Sequence, residues 1–111
     1  MIQQVPNSGD IAWLCIEPKP DDLHEERQPV LVLSPADYNL KTGLMLCCPM
    51  TTQIKGYPFE VEIDGEAPAA VLADQIRSLD WKVFKAVVRG FVTQAELSSV
   101  RLRAASLIGK P

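Results

Sequence analysis

The residues best suited to chemistry are three polar side chains, Thr51, Thr52 and Gln53, which directly follow an apolar run that ends at Met50. A buried strand in front of such residues would hold their hydroxyl and amide groups still, as fixed hydrogen-bond donors. A rigid threonine hydroxyl can stabilise negative charge that develops on an oxygen during a reaction. Threonines also commonly just end a strand, so the segment alone leaves both interpretations open.

A second group of reactive side chains lies in a polar, charged loop, residues 17–28, just before the apolar run of residues 29–33. His24 and Glu25 could exchange protons, since histidine is the side chain that titrates near neutral pH. Arg27 offers a planar fork of donors to phosphate oxygens, whereas Gln28 can hydrogen-bond a phosphate without neutralising it. Solvated loop charges would account for the same residues without any function.

Composition predicts one ordinary globular domain over residues 1–111. Hydrophobic residues make up 47% of the chain and charged residues 23%, a balance typical of folded proteins. No apolar run approaches the roughly 20 residues that span a bilayer, and residues 1–10 carry no pattern of a secretory signal. We therefore expect a cytoplasmic protein that does not bind membranes.

Charge and cysteine content exclude several classes of site. A net charge of −3 argues against a broadly basic surface for long nucleic acids, so RNA binding would need a local groove. Three cysteines, an odd number, argue against a complete disulfide framework. Cys15, Cys47 and Cys48 lie in apolar runs and are predicted to be buried and inert. With His24 as the sole histidine, we expect no metal site.

Short apolar runs separated by turn signals predict a mainly β protein. Five strands are expected, at residues 10–16, 29–33, 44–50, 59–63 and 69–80. Residues 83–92 are predicted to hold a short helical turn and a sixth strand. Residues 34–43 are interpreted as a long loop, and residues 53–58, with Gly56 and Pro58, as a turn.

A C-terminal helix completes the predicted architecture. Thr93 and Glu96 have the spacing of a capping box. The apolar residues that follow at helical spacing are Leu97, Val100, Ala104, Leu107 and Ile108. Short sequential strands with one packing helix indicate a small, strongly bent β-barrel.

Four stretches carry a resemblance to a known family. GDIAWLCIEP, PVLVLSPADYNLKTG, LCCPMTTQIKGYPFEV and VLADQIRSLDW together resemble the MazF/PemK toxin endoribonucleases over nearly the whole chain. The resemblance implies an SH3-like barrel of the CcdB/MazF type, a homodimer, and cleavage of single-stranded RNA without metal or cofactor. It also implies inhibition by a MazE-like antitoxin, whose acidic segment occupies the RNA groove.

The same resemblance assigns candidate catalytic residues. Thr51 matches the threonine of the family motif, while Gln28 stands where the family usually has an arginine. We expect a one-residue adjustment of the loop to bring Arg27 to the phosphate. Alternatively, His24, Glu25 or Glu26 shares proton transfer in a modified site.

Other polar residues are candidates for contact with RNA. Gln75, within the predicted fifth strand, could read a base edge with its amide. The full set of candidates is Thr52, Gln53, Asn39, Lys55, Asp74 and Gln75. Two alternatives to a ribonuclease stay open: a weak or inactive module that binds RNA or antitoxin, and a CcdB-like toxin that acts on a protein.

Overall fold

The computed structural model describes residues 4–15, 26–65 and 67–109. Within these residues the chain forms seven strands and two helices. The strands are β1 (Asp10–Cys15), β2 (Arg27–Val32), β3 (Leu44–Thr51), β4 (Glu60–Ile63), β5 (Ala69–Leu72), β6 (Arg77–Asp80) and β7 (Val87–Phe91). The helices are α1 (Ala36–Thr42) and α2 (Gln94–Ile108).

The strands form one curled antiparallel sheet. Its order is β4-β5-β3-β2-β1-β7, and β6 also pairs with β3. The first half of β3 pairs with β6, from Leu44 to Cys47, while Met50 and Thr51 at its end pair with β5. The long β3 strand therefore joins two parts of the sheet. The prediction of a bent, mainly β fold with a C-terminal helix is confirmed.

Strand β3 separates two hydrophobic cores. Cys47 belongs to the core that contains Trp81 and Met45, whereas Cys48 faces the core beneath helix α2. Adjacent strand residues point to opposite faces, which explains this division. Burial raises the pKa of Cys47 to about 12 and that of Cys48 to about 11, so both thiols stay protonated. The prediction of buried, inert cysteines is confirmed.

The predicted fifth strand is wrong in its length. Residues 69–80 form two strands, β5 and β6, because a turn at Ala73 and Asp74 interrupts them. The two short strands pair with different halves of β3, which a single straight strand could not do. The apolar character of the whole run concealed this turn.

The predicted loop at residues 34–43 contains the short helix α1. Gly43 ends the helix in the left-handed region, with φ of 76°, where glycine meets no steric penalty. Asn39 lies on α1 and is fully buried. Its Oδ1 accepts the Ser34 hydroxyl at 2.6 Å, and its Nδ2 donates to the Pro6 carbonyl at 2.8 Å. The predicted RNA contact of Asn39 is therefore wrong, because no RNA can reach this side chain.

Replacing Asn39 with alanine is expected to destabilise the fold by about 3 kcal/mol, because the buried groups of Ser34 and Pro6 would lose their partner. Urea unfolding at neutral pH measures this loss. Lys41→Ala, at an exposed residue of the same helix, is the matched control. A variant of unchanged stability would contradict the structural role of Asn39.

Helix α2 begins with the predicted capping box. The Thr93 hydroxyl accepts the Glu96 amide at 3.1 Å, and the Glu96 carboxylate accepts the Thr93 amide at 2.8 Å. Leu97, Val100 and Ala104 are buried in this chain, whereas Leu107 and Ile108 in the last turn are exposed. Across the described ranges, no helix is long and apolar enough to cross a membrane.

Glu96 makes stability depend on pH. Burial alone would raise the pKa of Glu96, but hydrogen bonds from the amides of Thr93 and Asp64 outweigh it and lower the pKa. A lowered folded-state pKa stabilises the fold above the unfolded pKa, and this contribution disappears as pH falls through the folded value. We therefore expect the free energy of unfolding of Glu96→Gln to fall less steeply as the pH is lowered than that of the unaltered protein. Glu62→Gln, which removes an exposed carboxylate on β4, is the matched control.

A groove at the ends of strands β2 and β3

An open groove of about 410 Å³ lies where β2 begins and β3 ends. We call it the strand-end groove. Its lining consists of residues from β1, β2, β3 and β5 together with the two residues after β3. They are Trp13, Gln28, Pro29, Met50, Thr51, Thr52, Gln53 and Ala69.

Sheet register brings Gln28 and Thr51 together. Strands β2 and β3 are antiparallel, with Val30 opposite Pro49. Extending this register by two residues sets Gln28 opposite Thr51, and both side chains line the groove. On its other side, Thr51 pairs with Ala70 of β5. The last residue of β3 is therefore held by β5, and it lies across the groove from the start of β2.

The Thr51 hydroxyl has a defined role as acceptor. Its Oγ1 accepts the backbone N–H of Gln53 at 3.0 Å. A hydroxyl has one proton to donate and two lone pairs, so this bond leaves the Thr51 proton available for an atom in the groove. The geometry suits a donor aimed at an oxyanion.

Trp13 supplies an aromatic wall. It lies on β1 opposite Pro29, and it is half-buried between the fully buried Ala12 and Leu14. Strand alternation turns it away from Ala12 and Leu14 and onto the face of Pro29. The alternation of side chains along β1 could therefore have predicted that Trp13 is not fully buried. An aromatic face of this kind can stack a nucleobase.

Arg27 lies outside the groove. Its Nη1 donates to the Lys85 carbonyl at 3.0 Å, at a residue with positive φ of 50°. The pairing of β1 with β2 runs regularly from Ile11–Leu31 to Cys15–Arg27, without a bulge. The Arg27 guanidinium is therefore held at the Lys85 carbonyl in this structure, and the expected role of Arg27 at the phosphate stays a prediction. No charged side chain lines the groove among the described residues.

The remaining candidates are scattered around the groove. Lys55 is exposed in the loop after Gln53 but does not line the groove. Asp74 and Gln75 are exposed at the turn after β5, and not inside a strand as predicted. His24 and Glu25 lie outside the described residues, so their roles stay predictions. In the described part of the chain, no three His, Cys, Asp or Glu side chains form a group able to hold a metal ion.

Comparison with known proteins agrees with the geometry. A family profile described as "PemK-like, MazF-like toxin of type II toxin-antitoxin system" matches residues 7–108. The curated endoribonuclease toxin MazF of Escherichia coli (strain K12) is 42% identical over 106 residues, which cover 95% of this chain and 96% of that protein.

Solved structures of similar sequence share the fold. The MazE-MazF crystal structure (Form-II) from Deinococcus radiodurans aligns with a TM-score of 0.87 at 41% identity, covering 97% of this chain and 99% of that chain. The MazF structure (Form-I) from the same organism aligns with a TM-score of 0.84 at 42% identity, covering 96% of this chain and 99% of that chain.

Proposed function

Because the chain belongs to the PemK-like, MazF-like toxin family, we propose that it is an endoribonuclease toxin that cuts single-stranded RNA in the strand-end groove. The observation that carries this proposal is the Thr51 hydroxyl, which lies at the end of β3 on a backbone paired with β5 and keeps its proton free to donate. Trp13 and the amides of Gln28 and Gln53 surround it. This combination of a π-face and neutral donors suits an unpaired nucleotide.

The proposed reaction is transfer of the phosphate within the RNA itself. The ribose 2′-oxygen attacks the adjacent phosphorus while the bond from phosphorus to the 5′-oxygen breaks. The 2′-hydroxyl proton goes to a base, and the leaving 5′-oxygen receives a proton from an acid. The products are a 2′,3′-cyclic phosphate and a 5′-hydroxyl, so the reaction consumes no water and needs no cofactor.

Thr51 and Gln28 then act on the phosphate. Negative charge grows on the non-bridging oxygens in the transition state, and preorganised donors stabilise it. The Thr51 hydroxyl is one such donor, and the Gln28 amide is a second, neutral one. His24 and Glu25 remain the proposed acid and base.

Partners and location follow from the family. We expect a MazE-like antitoxin to bind the toxin and block RNA, as the MazE-MazF structures of similar chains support. A homodimer is proposed, and exposed leucines on α1 and β3, Leu40, Leu44 and Leu46, offer apolar surface for it. RNA as substrate implies a cytoplasmic location.

The proposed function is tested with purified protein and a long, defined single-stranded RNA in EDTA. We expect cuts at a short recurring sequence, and fragments with 5′-hydroxyl and 2′,3′-cyclic phosphate ends. Mapping the 5′ ends identifies the recognition sequence. Intact RNA at all protein concentrations would overturn the proposal.

A second candidate is a module that binds RNA or antitoxin and cleaves poorly. The observation that favours it is the uncharged lining of the groove, with Gln28 where the family motif usually has arginine. RNA that is retained in a binding assay but stays intact would identify this function. Absence of both binding and cleavage would favour a protein target, as for CcdB-like toxins.

A further inference from the structure

The loop between β3 and β4 connects the strand-end groove to the carboxylate of Glu60, which does not line the groove. Thr52 and Gln53 line the groove at the start of this loop. Glu60, the first residue of β4, lies at its other end. Its sequence context, FEVEI, predicts only an alternating strand with one solvated face.

The Glu60 carboxylate binds three successive backbone amides of the loop. Its Oε1 accepts the N–H groups of Lys55 at 3.0 Å, Gly56 at 2.7 Å and Tyr57 at 3.1 Å. Gly56 has a φ of 80°, a conformation that favours glycine and lets consecutive amides converge. Such a concave set of amides is an anion-binding nest. Bonds to a charged acceptor are about twice as strong as neutral ones.

Two further bonds hold the end of the loop. The Glu60 amide donates to the Tyr57 carbonyl at 3.0 Å. From helix α2, the Nε of Arg103 donates to the Pro58 carbonyl at 2.8 Å. The segment from Lys55 to Pro58 is thus fastened to both the sheet and the helix.

The fastened segment follows the Thr51 hydroxyl closely along the chain. The Gln53 amide donates to the Thr51 Oγ1, and Ile54, which is half-buried, is the sole residue between Gln53 and the nest. A shift of the nest would therefore move Gln53 and release the hydrogen bond that orients Thr51. A displacement of about 1 Å near reacting atoms can cost on the order of 10²-fold in rate.

We propose that Glu60 is a positioning residue for RNA cleavage: by filling the amide nest of Lys55, Gly56 and Tyr57 it holds the Thr51–Gln53 segment in the geometry that the reaction needs. This inference rests on the proposed function of the strand-end groove. It assigns Glu60 no contact with RNA, and its effect passes through the backbone.

The test compares Glu60→Ala and Glu60→Gln with Glu62→Ala. Glu62 is exposed two residues further along β4, so its removal takes away the same charge without emptying the nest. We expect Glu60→Ala to lower kcat by about 10-fold or more with little change in KM. Glu60→Gln, which keeps one acceptor oxygen, should retain more activity, and Glu62→Ala should cleave like the unaltered protein. Added formate, a small carboxylate, should restore part of the kcat of Glu60→Ala.

Backbone NMR gives a readout that does not depend on activity. In Glu60→Ala the amide signals of Lys55, Gly56 and Tyr57 should move, the change should reach Gln53, and formate should reverse it. Equal kcat for Glu60→Ala and Glu62→Ala, or an unaffected Gln53 signal, would overturn the positioning role. If the unaltered protein cuts no RNA while the Gln53 signal responds to Glu60, the proposed function fails and the structural coupling stands.

Discussion

Replacing Gln28 with arginine should raise the rate of RNA cleavage by about 10²-fold, the size of effect expected for one well-aimed donor at a developing oxyanion. Gln28 lies in the strand-end groove opposite Thr51, and no described side chain there carries a positive charge. An arginine would add a paired, charged donor to the phosphate oxygens. Because Gln28 is exposed, the longer side chain needs no space in the core. Single-turnover cleavage of a defined RNA measures the gain.

Two variants define what the arginine contributes. Gln28→Lys supplies the charge without the planar fork and should produce a smaller gain. Arg27→Ala removes the neighbouring guanidinium, which binds the Lys85 carbonyl, and is expected to lower stability more than cleavage. If Arg27→Ala abolished cleavage in a protein that is still folded, and Gln28→Arg changed nothing, Arg27 would be the phosphate ligand after all.

Replacing Thr51 with valine should lower cleavage by about 10²- to 10³-fold, the loss observed when a single oxyanion donor is removed. Valine matches the shape of threonine, so the end of β3 and its pairing with Ala70 should persist. The variant loses both the donated proton and the acceptor for the Gln53 amide. RNA affinity, measured with a substrate that lacks the attacking 2′-hydroxyl, should change far less than the rate.

Thr51→Ser is the matched control because it keeps the hydroxyl, and it should retain most of the activity. Thr52→Val removes the adjacent, exposed hydroxyl and should act mainly on RNA affinity. Cleavage by Thr51→Val at the unaltered rate would show that the reaction does not use this hydroxyl. If Thr52→Val lost cleavage and Thr51→Val did not, the reactive hydroxyl would be that of Thr52.

The positions of the first four strands and of the final helix along the chain could be predicted because their physical signals are local. Alternation in FEVEI, the buried run PVLVL and the capping box of Thr93 and Glu96 each need only neighbouring residues. The division of residues 69–80 into β5 and β6 could not be predicted. It depends on which half of β3 each strand meets, and that is a property of the sheet.

The part of the site that could be predicted is the part at a strand end, because a buried strand holds the residues that follow it. Thr51 and Gln53 could be identified from their position after an apolar run, and both line the groove. Asn39 could not be recognised as a core residue, because a polar side chain is buried only where distant groups satisfy it, here Ser34 and Pro6. The direction of Arg27 likewise depends on the regular pairing of β1 with β2.

The two cores on either side of β3 have a consequence for folding as a whole. Cys47 and Cys48, adjacent in sequence, each complete a different core. Neither core can lose the strand without opening the other, so the two halves of the molecule should unfold in one cooperative transition. We therefore expect no partly folded form that keeps the strand-end groove. A molecule should either be folded with its groove intact or be unfolded.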